Sequence, residues 1–365
     1  MPYKNCTLPE YPAKSDMWLE LKKLNRPIVV YGMGNGADKL FLRLQKYGIT
    51  PADIFASDGF VRGHSFHGMR VKSFSEIKEE YSDFVILLSF ASNRCEVIEM
   101  LNEIDENYDL YIPDMPVAGE EYFDSEFYNS HYDEILKAYN SLCDEDSKNA
   151  FSSIIRYKLS GRMEYLRSAY STKDELYDTL PCDKVSHFTD VGAYNGDTLR
   201  EGLSYFKNLS GAFAIEPDFK NFKRLKKYTD TLENFDVKIL NAAAWESSMD
   251  GTFISSGNRN SSVNSTSSYE HSDTAVPLVA IDDLSLKTDF IKYDVEGAEY
   301  EALLGSLKTI KENSPALLVS LYHRSRDIFS LINFLSAELL DYKMYLRRLM
   351  CVPAWEIDLI LVKNA

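Results

Sequence analysis

The chain has 365 residues, 45% of them apolar and 13% aromatic, which is long and apolar enough for two cored domains and a connector. Its formal net charge of −16 excludes a nucleic-acid partner, which needs clustered Lys and Arg to meet phosphates. Five cysteines, Cys6, Cys95, Cys143, Cys182 and Cys351, are irregularly spaced with no C-x-x-C pair, and they read as reduced thiols of a cytoplasmic protein.

The N-terminal stretch has no apolar signal core, and no apolar run reaches the roughly 18 residues that a membrane span needs. The Asn-x-Ser/Thr matches at Asn260 and Asn264 are therefore read as chance. A short helix starting near Trp18 leads to the strand Ile28–Tyr31. The turn Gly32-Met33-Gly34-Asn35-Gly36 then opens a helix with Leu40, Phe41, Leu44 and Tyr47 at helical spacing. A strand from Asp53 to Ser57 ends at Asp58, and a short strand around Val71, a helix near Glu76–Tyr81 and a strand Phe84–Ser89 follow. This strand–helix alternation predicts a parallel sheet closing near Asp114. The glycine turn falls short of the full G-x-G-x-x-G fingerprint. A nucleotide ligand at Gly32, Gly34 and Asp58 and a docking domain with an empty crevice both remain readings of this block. His64 and His67 sit in a glycine-flanked loop and read as surface residues.

Between about Ser125 and Leu180, helical periodicity recurs through Ile135, Leu136, Tyr139 and Leu142, and through Ile154, Ile155, Leu159, Met163 and Leu166. This predicts a helical connector, read as a spacer in preference to a lid. The division is then 1–118, 119–183 and 184–365. In the last block, strands are predicted at His187–Val191, Ala212–Ile215, Val237–Leu240, Phe290–Tyr293 and Ala316–Ser320, with a final pair near Met344–Leu349 and Ile357–Val362. Helices are expected at Thr198–Phe206 and Phe219–Tyr228. The Ser- and Asn-rich stretch Ser255–Ser268 reads as a loop or hairpin between strands at Thr252–Ile254 and Val276–Ala280. The basic run Lys220, Lys223, Arg224, Lys226 and Lys227 reads as a solvated helix face.

The candidate site collects at the C-terminal ends of these strands, where open α/β sheets bind ligands. Asp190-Val191-Gly192-Ala193-Tyr194-Asn195-Gly196-Asp197-Thr198 passes from a strand through a glycine turn into a helix, whose N-terminal amides can hold a carboxylate. The Asp190 carboxylate would favour a cationic sulfonium and amino group. Glu216, followed by Pro217, ends the next strand and can accept both hydroxyls of a ribose; its alternative role is a turn acid. Ala243 and Ala244 leave room for a flat base, and the Trp245 ring reads as core. Asp294 ends the fourth strand facing the crevice. Glu296 and Glu299 can cap the following helix or act in the site. These acids are hard oxygen ligands, but nothing in their spacing demands an ion, and no metal is expected.

These four blocks, Asp190–Ala193, Glu216–Asp218, Asn241–Ala243 and Asp289–Glu299, resemble the FkbM family of S-adenosylmethionine-dependent methyltransferases over about His187 to Val362. The helical connector and front block are also similar to those of longer members. The resemblance implies an α/β architecture of two Rossmann-like domains joined by a helical connector, the second a seven-stranded class I methyltransferase sheet. It implies S-adenosylmethionine as cofactor, with Asp190, Gly192, Ala193, Tyr194, Asn195, Thr198, Glu216, Pro217, Ala243, Ala244 and Asp294 around it. It also implies O-methylation of a hydroxyl on a small molecule or glycan precursor, as in carbohydrate biosynthesis. Tyr194 stands where many relatives carry Asn, and Asn195 comes one position later. Tyr322-His323 matches a pair frequent in the family, which makes His323 the candidate base and Asp294 its rival. Two other functions remain: a non-catalytic binding module, and an oxidoreductase centred on the front glycine turn. A homo-oligomer is left open.

Overall fold

The computed structural model describes residues 6–61, 63–254, 262–264 and 274–364. In the front unit the strands are β1 (Ile28–Tyr31), β2 (Asp53–Ala56), β3 (Lys72–Ser73), β4 (Val85–Leu88) and β5 (Asp109–Tyr111), in a sheet of order β3-β2-β1-β4-β5. All pairings are parallel. β1, β2 and β4 are buried along their whole length, as parallel strands covered on both faces must be. The helix Asn35–Lys46 buries Ala37, Leu40 and Leu44 against them.

The short strand predicted around Val71 falls one residue later, at Lys72–Ser73. Ser73 and Glu76 then form a reciprocal capping box that starts the helix Phe74–Glu80. The helix Cys95–Asn107 and β5 were not anticipated. That helix buries only Ile98, Leu101 and Ile104 among many acids, and β5 has three residues, too few for a period to show.

The second sheet contains β6 (His187–Val191), β7 (Gly211–Ile215), β8 (Asp236–Leu240), β9 (Phe290–Tyr293), β10 (Ala316–Ser320), β11 (Tyr342–Arg348) and β12 (Ile357–Lys363). Its order is β8-β7-β6-β9-β10-β12-β11, with β12 antiparallel to both neighbours and the other pairings parallel. The strand order reverses beside β6, with β7 and β8 on one side and β9 and β10 on the other, so the β6–β9 crevice opens at the carboxyl ends of the strands. A smaller sheet follows β8, formed by Ala243–Ala244, Met249–Ile254, Ser262–Asn264 and Thr274–Val279. Most of the predicted Ser255–Ser268 loop lies outside the described residues. The basic run lies on the helix Phe219–Thr229, with its Lys and Arg side chains exposed.

The connector consists of the helices Ser125–Ser130, Tyr132–Ser141, Glu145–Ser160, Met163–Ser168 and Lys173–Tyr177. Its role differs from the expected spacer. The helix Glu145–Ser160 lies on β11, where Ser147 Oγ accepts the Leu346 amide at 2.8 Å and Asp144 pairs with Arg347 at 2.8 Å. One continuous core runs from Val29 and Ile86 of the front sheet through Phe151 and Ile154 to Leu346 and Leu359 of the second. The front unit also touches the second directly: Ser92 and Val352 exchange both backbone hydrogen bonds, and the Ala118 amide donates to the His323 carbonyl. Among the described residues, no helix is long and apolar enough to cross a membrane.

Candidate functional site

A cavity of about 540 Å³ opens at the carboxyl ends of β6, β7, β9 and β10. Gly192, Tyr194, Thr198, Glu216, Pro217, Ala243, Ala244 and Asp294 of the predicted set line it. Its far wall was not foreseen. It comprises Asn93 and Cys95 of the front unit, Tyr170 to Tyr177 of the connector, and Glu356 and Asp358 at the start of β12. Sequence pattern cannot show this wall, because it is assembled from three segments far apart in the chain.

Gly192 has φ +86°, and a Cβ there would lie 1.8 Å from the Asp294 carbonyl, so the turn exists only because this position has no side chain. The amides of this turn are used within the chain: Gly192 and Ala193 donate to the Ile215 carbonyl, Tyr194 to Glu216 and Gly196 to the Ala193 carbonyl. Ala193 packs in a small cluster with Ala214 and Leu225, and neither it nor Asn195 lines the cavity. The Trp245 ring packs on Ala243, Val276 and Leu278, away from the cavity wall.

Asp190 is fully buried beneath the turn, and neither of its carboxylate oxygens has a hydrogen-bond partner. Burial pushes its pKa up to about 7 against the pull of Lys292, and Asp197 and Asp294 push the same way. Lys292 is the cation at the centre of these acids. Its Nζ lies 3.3 Å from Asp294 and donates to Thr198 Oγ1 at 3.0 Å. Glu216 is likewise buried, and its carboxyl is raised to about 8 by desolvation, against the bonds it accepts from the Asp218 and Tyr194 amides at 2.8 Å each. It is therefore both a turn acid and a cavity-wall acid. Asn241 straps the same turn by donating to the Glu216 and Pro217 carbonyls.

Asp294 lies in a different field. Burial works against its charge, but Lys292 and His323 hold its carboxyl below the usual range, and the Tyr322 hydroxyl donates to it at 3.3 Å. Asp358, the wall acid on β12, is pushed well above the ordinary carboxyl value by burial and by Glu356 and Asp294.

The structure sets His323, the expected base, behind the cavity wall. Its ring is fully buried and is not part of the cavity wall. Burial favours the neutral ring, but Glu299, Asp294 and Glu296 surround it and raise its pKa to about 10. Glu299 joins the site as the partner of His323 Nδ1 at 2.9 Å, and it also accepts the Val295 amide, which fixes the turn after β9.

Neither described cavity brings Gly32 and Gly34 together with Asp58. A Cβ at Gly36 would lie 2.0 Å from the Ser89 carbonyl, and one at Gly32 would lie 2.7 Å from the Phe90 ring, so close packing on β4 explains both glycines. Asp58 instead borders a separate hollow of about 410 Å³ over Tyr31, Phe55, Phe74 and Tyr108, which neither Gly32 nor Gly34 lines. His67 pairs with Asp38 at 2.8 Å on the surface.

Residues 190–344 match the family model described as the methyltransferase FkbM domain. The crystal structure of methyltransferase FkbM from Methylobacillus flagellatus KT is similar over 92% of this chain and 90% of its own, with TM-score 0.66 and 20% identity. That likeness spans the front unit and connector as well, and shows the fold of the whole. An rRNA methylase from Streptococcus thermophilus aligns over 53% of this chain and 93% of its own, at 11% identity and TM-score 0.33. A precorrin-6y C5,15-methyltransferase from Geobacter metallireducens GS-15 aligns over 53% and 91%, at 10% identity and TM-score 0.34. No curated protein matches the sequence.

Proposed function

We propose that this FkbM-type chain binds S-adenosylmethionine in the cavity over β6, β7 and β9 and transfers its methyl group to a hydroxyl of a sugar, glycan precursor or similar small molecule. The observation that carries the reading is the buried carboxyl of Glu216 on the wall beside the Gly192 turn, with the orphaned carboxyl of Asp190 beneath. A buried acid without partners is costly, and a cationic ligand relieves that cost.

On this reading Glu216 accepts from the ribose hydroxyls, Ala243 and Ala244 leave space for the adenine, and Asp190 and Asp294 supply negative potential toward the sulfonium. Tyr194 and Thr198 border the amino-acid end. Bound S-adenosylmethionine supplies an electrophilic methyl: the acceptor oxygen takes the carbon, the C–S electron pair stays on sulfur, and the hydroxyl proton goes to a base. Asp358 is the wall acid assigned to that proton: the positive charge of the bound sulfonium favours its ionised form, and burial leaves that carboxylate a stronger base than Asp294, which Lys292 and His323 weaken. The chain divides into residues 1–118, 119–183 and 184–365, and the first two segments close the acceptor side of the cavity through Asn93 and Tyr170.

The test is to incubate the full chain with methyl-labelled S-adenosylmethionine and a panel of hydroxylated sugars and metabolites, reading S-adenosylhomocysteine and labelled product. Tight cofactor binding with no turnover on any acceptor would instead identify a non-catalytic binding module.

A further inference from the structure

Behind the cavity wall, the turns after β9 and β10 place three acids around one imidazole. His323 follows β10 and is fully buried, and its Nε2 has no hydrogen-bond partner. Asp294 Oδ1 lies 3.4 Å from that nitrogen and Glu296 Oε2 lies 3.5 Å from it. These separations exceed the 2.7–3.2 Å typical of an N–H···O bond. They match two ligands of one ion, because bonds of roughly 2.1 Å put neighbouring ligand atoms about 3.0–3.4 Å apart in octahedral or tetrahedral shells.

On its other side, His323 Nδ1 lies 2.9 Å from Glu299 Oε1 as an ion-pair contact outside hydrogen-bond geometry, and Glu299 is itself 1% exposed. A carboxylate on one imidazole nitrogen is what fixes the tautomer and aims the other nitrogen at a metal. Asp294, Glu299 and His323 offer ligand atoms that all lie within 4.8 Å of one another. Glu296 stands outside that trio but brings its Oε2 to 3.5 Å from His323 Nε2 from a turn at φ +55°, followed by Gly297 at φ +99°.

We infer that His323 Nε2, Asp294 and Glu296 form a divalent-cation site, with Glu299 orienting the histidine. One imidazole with two carboxylates suits Mn²⁺ or Zn²⁺ better than Ca²⁺, which takes an all-oxygen shell, or Cu(I), which takes thiolates. Asp294 and Glu296 belong to the cavity wall whereas His323 does not, so the remaining coordination positions face the cavity. There the ion would hold an acceptor hydroxyl and increase its acidity. That use rests on the methyl-transfer reading; binding of the ion does not. The rival occupant of the same pocket is a proton on His323.

The test uses the full chain after chelator treatment and dialysis, titrated with MnCl₂ while the free Mn²⁺ resonance is followed, and with ZnCl₂ by calorimetry. In parallel, S-adenosylhomocysteine is titrated without metal. The inference predicts one bound equivalent of Mn²⁺ or Zn²⁺, weakened at least tenfold in His323→Gln and in Glu296→Gln. Glu296 is partly exposed, so its variant keeps the fold even where the buried histidine variant does not. If neither ion binds, or if binding is unchanged in Glu296→Gln, the inference is wrong and a proton is the occupant. Metal binding without S-adenosylhomocysteine binding would keep the ion site and overturn the cofactor assignment. The opposite result would keep the cofactor and overturn the ion site.

Discussion

Replacing Lys292 by Met tests the electrostatic centre of the site, because it removes the charge and keeps most of the buried stem. Lys292 is the cation that faces both Asp190 and Asp294. Breaking a buried ion pair by deleting one partner costs about 3–5 kcal/mol. The cost depends on pH, and its direction follows from the two acids. Asp190 has its folded pKa raised to about 7, so at pH 6 it is mostly protonated with or without the lysine and adds little to the difference. Above pH 7 the wild type loses no more stability through this group. In Lys292→Met its pKa moves higher still, and each further pH unit costs up to about 1.4 kcal/mol. Asp294 is held below the ordinary value, so it contributes stability above its unfolded pKa. The part of that stability due to Lys292 is lost at both pH values. Urea denaturation at pH 6 and pH 9 should therefore show a destabilisation at least about 1.5 kcal/mol larger at the higher pH. Equal destabilisation at the two pH values, or less than about 0.5 kcal/mol at pH 9, would refute the argument that Lys292 compensates a buried, unbonded Asp190.

Gly192→Ala places a methyl against the Asp294 carbonyl at a positive φ, and should cost about 2–4 kcal/mol in denaturation together with most of the cofactor affinity. Glu216, raised to about 8 in the free protein, must ionise to accept two hydroxyls. Affinity for S-adenosylhomocysteine should then rise between pH 6.5 and 8.5, with proton release seen by calorimetry in two buffers, and Glu216→Gln should flatten that rise. Asp358→Asn should lower turnover roughly 100-fold or more while leaving S-adenosylhomocysteine affinity within about twofold, as expected for a proton acceptor outside the cofactor's contacts. Unchanged turnover in that variant would return the base role to Asp294.

Much of the second sheet was legible because its strands are long, apolar and bounded by glycine or acid at their carboxyl ends. His187–Val191, Phe290–Tyr293 and Ala316–Ser320 are found where periodicity puts them. What the sequence conveyed poorly was direction in space. Asp190 and Ala193 fall in the same motif as Gly192, yet β6 turns one under the loop and the other into a core cluster, and only Gly192 reaches the cavity. His323 read as a base because the residue type suits the task. The three carboxylates around it, Asp294, Glu296 and Glu299, come from the end of β9 and the turn and helix that follow, where Glu296 adopts a left-handed backbone. The connector read as a spacer because its apolar stripes reveal burial but not the partner. The partner is β11, some 200 positions away. Asp358 was hidden in an apolar strand, where one acid among Ile357, Leu359 and Ile360 gives no pattern.

The most direct test of the central claim is calorimetric titration of the full chain with S-adenosylhomocysteine, with NAD as a control and Glu216→Ala alongside. The account predicts one site for S-adenosylhomocysteine, weakened about 10- to 100-fold in Glu216→Ala through the loss of hydrogen bonds to a charged group, and no binding of NAD. Binding of NAD alone, or S-adenosylhomocysteine binding indifferent to Glu216, would contradict it.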